Sequence, residues 1–261
     1  MGNCRGCSSI NTNGRILVVK LIMKIVSISE SQSIEKRVAI TPDIAKKYIS
    51  LGLEVHLSKK YAEHLGFKDS DYEEVGAKIN DNDDELIKQA DIIIQLGLLN
   101  DKKISSIKEN QTLIGVFNPY LNKDRIDNMV KKKVNVFSLE LLPRITRAQS
   151  MDILSSQANL AGYKAVIESF ANFEKAIPMM MTAAGTVPAA KVLVVGAGVA
   201  GLQAIATAKR MGAIVFATDV RMASKEQVES LGGKFLTVEG AENLETEGGY
   251  AKEASEDFKK K

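Results

Sequence analysis

The chain has 261 residues, 45% hydrophobic and 26% charged, which suits one large or two ordinary domains that bury their own cores. Its 35 basic and 32 acidic residues leave a formal charge of +3 that is not gathered into a stripe, so nucleic acid is not expected as a partner. The two cysteines, Cys4 and Cys7, lack the strand-to-helix context or second ligand pair that a redox or metal CxxC needs, so no metal site is expected and a reducing compartment is.

Residues 1–22 carry no convincing period and read as a disordered or mis-started extension, with Met23 as the alternative start. The opening Met-Gly-Asn-Cys invites a lipidation reading, but Gly6 stands where a myristoylation motif wants Ser or Thr. Residues 23–143 read as an α/β domain. Strands are predicted at Ile25–Ile28, Glu54–Leu57, Asp91–Leu96, Thr112–Phe117 and Val134–Ser138, and helices at Pro42–Leu51, Asp84–Ala90 and Lys123–Lys132. Thr41 followed by Pro42 is a helix-start signal, and the run Lys131 to Lys133 is the solvated end of a helix. Alternating βα units of this kind predict a doubly wound, flavodoxin-like parallel sheet.

Residues 144–261 are expected to hold a long helix from Ser150 to about Phe173, linking two lobes, and then the first half of a dinucleotide-binding domain. The apolar stretch from Ile177 to Ala208 is broken by Pro178, Thr182, Gly185, Pro188 and Lys191, so it reads as loop, strand and helix and not as a membrane span. Lys191–Val195 is a continuous apolar run, the pattern of a strand buried on both faces. Gly196-x-Gly198-x-x-Gly201 follows it directly and opens a helix; a second strand, Ile214–Thr218, ends on Asp219. Alone the hexapeptide is weak, but strand before, helix after and an acidic residue about 20 positions on make up the dinucleotide fingerprint. Gly196 permits a tight turn, Gly198 lets backbone approach a pyrophosphate, and Gly201 lets the helix lie close to the strand. A carboxylate at Asp219 accepts ribose hydroxyls and repels a 2′-phosphate, which favours NAD(H); Arg221, two positions on, is the group that could receive such a phosphate. After a helix at Ser224–Leu231 and a strand at Lys234–Val238 the second mononucleotide half is not found, so this domain reads as truncated.

Ahead of the long helix, Pro143-Arg144-Ile-Thr-Arg-Ala-Gln149-Ser-Met-Asp152-Ile-Leu-Ser155 gathers polar groups that local physics reads equally well as N-capping by Ser150 or Asp152 with ordinary surface charge. This segment, together with Met179-Met-Met-Thr-Ala-Ala-Gly-Thr-Val-Pro188, Gly201-Leu-Gln-Ala-Ile-Ala-Thr-Ala-Lys209, Thr218-Asp-Val-Arg221 and Gly232-Gly-Lys-Phe235, resembles the NAD(H)-binding domain I, or alpha-1 subunit, of proton-translocating NAD(P)+ transhydrogenase, in the alanine dehydrogenase/transhydrogenase superfamily. The resemblance runs from about Met23 to Lys261. It implies that Arg144, Gln149 and Asp152 lie over the nicotinamide, that Ser155 lies near its carboxamide, and that Ile145, Thr146, Ser150, Met151, Val199, Val220 and Arg221 line the cofactor. Gly249 and Tyr250, in Gly248-Gly-Tyr-Ala-Lys252, resemble the family's mobile loop.

The same resemblance implies NAD(H) on this chain, NADP(H) on a partner domain III, a membrane domain II that moves protons, a homodimer, and a cytoplasmic position on the inner face of the membrane through partner subunits. Two other readings stay open. One is a noncatalytic or inactive NAD-binding fragment. The other is an alanine dehydrogenase, whose family shares Arg37-Val-Ala-Ile-Thr-Pro42 but carries a lysine after the third strand and a histidine after the next; here those stretches read Ile94-Gln95-Leu96 and Val116-Phe117-Asn118-Pro119. His56 and His64 are not expected to be catalytic.

Overall fold

The computed structural model describes residues 8–10, 16–18, 22–143 and 145–237. The chain divides into two compact units, Met1–Met151 and Asp152–Lys261.

In the first unit β1 (Ser8–Ile10) and β2 (Ile16–Val18) pair antiparallel. The body is a parallel six-stranded sheet of β3 (Lys24–Ser27), β4 (Glu54–Ser58), β5 (Lys78–Asn80), β6 (Ile92–Ile94), β7 (Thr112–Gly115) and β8 (Asn135–Ser138), in the order β5-β4-β3-β6-β7-β8. The helices are α1 (Pro42–Ser50), α2 (Asp69–Glu74), α3 (Asp83–Gln89), α4 (Asp101–Ser105) and α5 (Lys123–Lys131). The doubly wound reading holds. Without the short edge strand β5, which the sequence patterns do not foretell, the order is the flavodoxin one, and β5 extends it by one strand.

Strand pleating explains why this sheet is covered on both faces. Ile25 and Val26 are neighbours, yet Ile25 packs with Ala45 of α1, Val55, Tyr61 and Tyr72, whereas Val26 packs with Leu86 and Ile87 of α3 and Met129 of α5. The α1 start matches its sequence signal: Thr41 Oγ1 accepts from the Ile44 N–H at 3.4 Å, and Pro42 takes the first turn, where a missing N–H costs nothing.

The second unit opens with α6 (Ile153–Ala171), followed by a hairpin of β9 (Met180–Thr182) and β10 (Gly185–Val187). Then come β11 (Lys191–Val195), α7 (Val199–Arg210), β12 (Ile214–Thr218), α8 (Ser224–Ser230) and β13 (Lys234–Phe235), with a parallel sheet in the order β11-β12-β13. Val166 of α6, Ile205 and Ala208 of α7, and Val228 of α8 all pack against Val192, Val194, Val215 and Ala217. That arrangement corrects the expectation of a strand buried on both faces. Leu193 is 60% and Val195 78% exposed, because among the described residues the helices cover only the alternate face of β11. The long helix lies against α7, and its approach requires a glycine: a Cβ on Gly162 would stand 2.0 Å from the Ala200 carbonyl oxygen.

Candidate functional site

The glycine turn between β11 and α7 is built as its sequence suggests, each glycine for its own reason. Gly196 sits at φ +95°, a conformation L side chains rarely adopt. Gly201 is required by contact, since a Cβ there would stand 1.8 Å from the Gly196 carbonyl oxygen and 3.5 Å from Val194 Cγ1. Gly198, the N-cap of α7, has the ordinary φ of −76°, and a Cβ on it would meet only Arg221 Nη2 at 3.9 Å. Its lack of a side chain therefore serves neither backbone strain nor packing; it leaves open ground in front of the helix.

The backbone N–H groups of this turn divide into two sets. Gly196 N–H donates to the Thr218 carbonyl at 2.8 Å, and Ala197 N–H donates to Asp219 Oδ2 at 2.7 Å, so both are committed to the end of β12. The first intrahelical bond runs from Leu202 N–H to the Gly198 carbonyl, which leaves the N–H groups of Val199 and Ala200 without intrahelical acceptors at the positive end of a 12-residue helix. Such a terminus, with nothing projecting from Gly198, is suited to a phosphate.

Asp219 is more occupied than its sequence position implies. Besides Ala197 N–H, it accepts Arg221 N–H and Arg221 Nε–H at Oδ1, at 2.8 and 2.9 Å, and Arg221 Nη2–H at Oδ2, at 2.9 Å. Burial works to raise the Asp219 pKa, but the Arg221 side chain, the two backbone N–H groups and the guanidinium charge outweigh it, and the carboxyl lies below its ordinary value. Arg221, expected to lie beyond the carboxylate, is folded back onto it. Two positions on an extended segment point to the same side, and this was the available signal. Sequence reasoning also missed Ala197, whose only contribution is its backbone N–H.

Of the residues expected over a nicotinamide, Asp152 and Ser155 are joined. Asp152 is the N-cap of α6, accepting Ser155 N–H at Oδ1 (3.0 Å) and Ser155 Oγ–H at Oδ2 (2.7 Å). Ile145, Gln149, Ser150 and Met151 are exposed, the last three on a 3₁₀ segment at Thr146–Met151. Val199 is exposed on the first turn of α7 and Val220 is half-buried after β12. Arg144, the side chain of Thr146, and Gly249 and Tyr250 lie outside the described residues. Among the described residues, no group of three or more His, Cys, Asp or Glu side chains is placed to hold a metal ion, and no helix is long and apolar enough to cross a membrane.

The chain matches the family model for the N-terminal domain of alanine dehydrogenase/PNT over residues 27–161 and that for the C-terminal domain over residues 165–259. It is 50% identical over 243 residues to the first of the chains that make up the NAD(P) transhydrogenase alpha subunit of Rickettsia prowazekii, a match that covers 92% of this chain and 63% of that protein. The solved transhydrogenase from Sinorhizobium meliloti superposes with a TM-score of 0.78 at 50% identity, covering 82% of this chain and 64% of that one. A solved L-alanine dehydrogenase superposes with a TM-score of 0.70 at 18% identity over 82% of this chain and 60% of its own, a likeness of fold. The chain thus spans a little under two thirds of the length of the relatives it matches.

Proposed function

Because the chain belongs to the alanine dehydrogenase/PNT family, we propose that it is the NAD(H)-binding part of a proton-translocating transhydrogenase, holding NAD(H) for direct hydride transfer to NADP(H) on a separate partner domain. The observation that carries this reading is the open ground at Gly198 before the unshared N–H groups of Val199 and Ala200, with the Asp219 carboxylate at the end of the next strand. These residues fit a dinucleotide: Val199 and Ala200 would hold its pyrophosphate and Asp219 the adenosine ribose, with Arg221 moving aside because Asp219 already accepts four N–H bonds.

When bound, NAD(H) supplies the hydride chemistry itself. What remains for the chain is to align the reacting ring and keep water out, and no general acid or base is needed for that. Arg144, Gln149, Asp152 and Ser155 are assigned this aligning role, with Ile145, Thr146, Ser150 and Met151 beside them, and Gly249 and Tyr250 as a closing loop. Partner chains supply the NADP(H)-binding domain and the membrane domain through which protons pass, and the assembly sits on the inner face of the cytoplasmic membrane, with this chain as a homodimer.

Titration of NADH fluorescence tests the reading. NADH should bind more tightly than NADPH, since Asp219 disfavours a 2′-phosphate, and equal affinities would remove Asp219 from its role. A second reading, NAD binding without transfer, draws on the nucleotide unit having three strands where relatives run about a third longer. Single-turnover transfer to an NADP analogue held by a relative's NADP-binding domain separates the two.

A further inference from the structure

The order β5-β4-β3-β6-β7-β8 reverses direction between β3 and β6, so the carboxyl ends of those two strands frame the switch point of the first unit. Open α/β sheets place ligands in the crevice outside such a point. Here the crevice is filled from within the chain. Gln95, buried just past β6, accepts Ile28 N–H at 2.8 Å and Ser27 Oγ–H at 3.0 Å on its Oε1, and its Nε2 donates to the Ile28 carbonyl at 3.1 Å. That clamp aims the second Nε2 hydrogen and the next two backbone N–H groups at one point. Glu30 Oε1 sits there, accepting Gln95 Nε2–H at 3.1 Å, Leu96 N–H at 2.7 Å and Gly97 N–H at 3.2 Å.

Successive backbone N–H groups converging on one oxygen form an anion-binding concavity, and the amide of Gln95 completes it. Gly97 belongs to the design, because a Cβ there would stand 3.4 Å from Glu30 Oε2 and crowd the carboxylate. Burial pushes the Glu30 carboxyl up from its ordinary value, while the Gly97 and Leu96 N–H groups pull it down, as expected for a carboxylate drawn into a partly dry cradle. We propose that the switch point of the first unit is a carboxylate-binding cradle made by Gln95, Leu96 and Gly97, and that Glu30 is its resident ligand, so that external small carboxylates enter only when Glu30 is withdrawn. The cradle is built from residues of the first unit alone and does not depend on which nucleotide the second unit holds.

The test is chemical rescue of the full chain carrying Glu30→Ala. Formate should raise the melting midpoint of the variant by a few degrees in a saturable way, sodium chloride at equal ionic strength should not, and the wild type should not respond to formate beyond chloride. A folded variant indifferent to formate, or a wild type that responds equally, would overturn the proposal. If Glu30→Ala does not fold, Glu30→Gln keeps the shape and removes the charge. The Leu96 and Gly97 amide protons, assigned by NMR, should then move upfield relative to wild type, and unchanged shifts for both would overturn the cradle.

Discussion

Asp219 illustrates how one residue serves stability and recognition together. Its carboxylate ties the glycine turn to β12 through Ala197 N–H and holds Arg221 in a fork. A carboxyl whose pKa is depressed in the fold stabilises that fold while ionised. The contribution is complete above the ordinary value of 3.8 and is lost as pH falls through the lower folded value. Glu30 has the opposite sign: its raised pKa means the fold loses stability as pH rises from the ordinary 4.5 through the folded value. The two effects overlap in mild acid, so a difference measurement is needed. Urea midpoints of wild type and Asp219→Asn, taken from pH 7 to pH 3, should differ most at neutral pH and converge as the solution is acidified. A constant difference would mean that Asp219 acts without its charge. The sequence made Asp219 legible through its place in the fingerprint, but not its partners, since a backbone N–H such as that of Ala197 carries no residue-type signal.

Among the elements, β11, α7 and β12 were legible to within a residue, because an unbroken apolar run, a glycine turn and a returning strand are local patterns. The burial of β11 was not legible. The same run, Val192 to Val195, reads alike whether one face or two are covered, and the outcome depends on what packs there. The short β5 was missed because three residues give no period, whereas α4 had a readable start in Asn100, whose side chain accepts Lys103 N–H at 2.9 Å. Gly162 was invisible for a related reason: only the α6–α7 approach gives it a purpose.

The two faces of the nucleotide sheet should answer differently to substitution. Val195→Thr, on the open face, should change stability by less than about 0.5 kcal/mol, while Val215→Ala, buried in the helix-covered face, should cost about 2 kcal/mol. Similar losses by denaturant titration would mean that both faces are covered. In the glycine turn, Gly201→Ala drives a Cβ into backbone and should destabilise the unit by about 1–3 kcal/mol. Gly198→Ala meets no close atom in the protein and should leave the denaturation midpoint nearly unchanged, yet weaken NADH binding at least tenfold. Unweakened binding would remove the pyrophosphate from that position.

For the whole molecule, the division of labour follows from what each unit offers. The second unit supplies the nucleotide turn, and the first is a complete doubly wound sheet whose switch point is closed by its own side chains. An amino-acid dehydrogenase must hold a carboxylate substrate and move a proton beside the nicotinamide. At the positions where that chemistry is expected, this chain places Gln95, an amide with both ends hydrogen-bonded, and Asn118, neither of which titrates in the working range. Transfer between two nicotinamides asks only for alignment. Mixed with a relative's NADP-binding domain, a chain extended to the relatives' full length should therefore pass hydride from NADH to an NADP analogue, and should reduce no NAD+ with alanine. Both reactions can be read in parallel by absorbance. Alanine-dependent reduction would mean that Glu30 leaves its cradle and the switch point takes substrate. Transfer that appears in the extended chain but not in this one would assign the alignment step to the strands that flank β11, and leave NAD(H) binding with the residues described above.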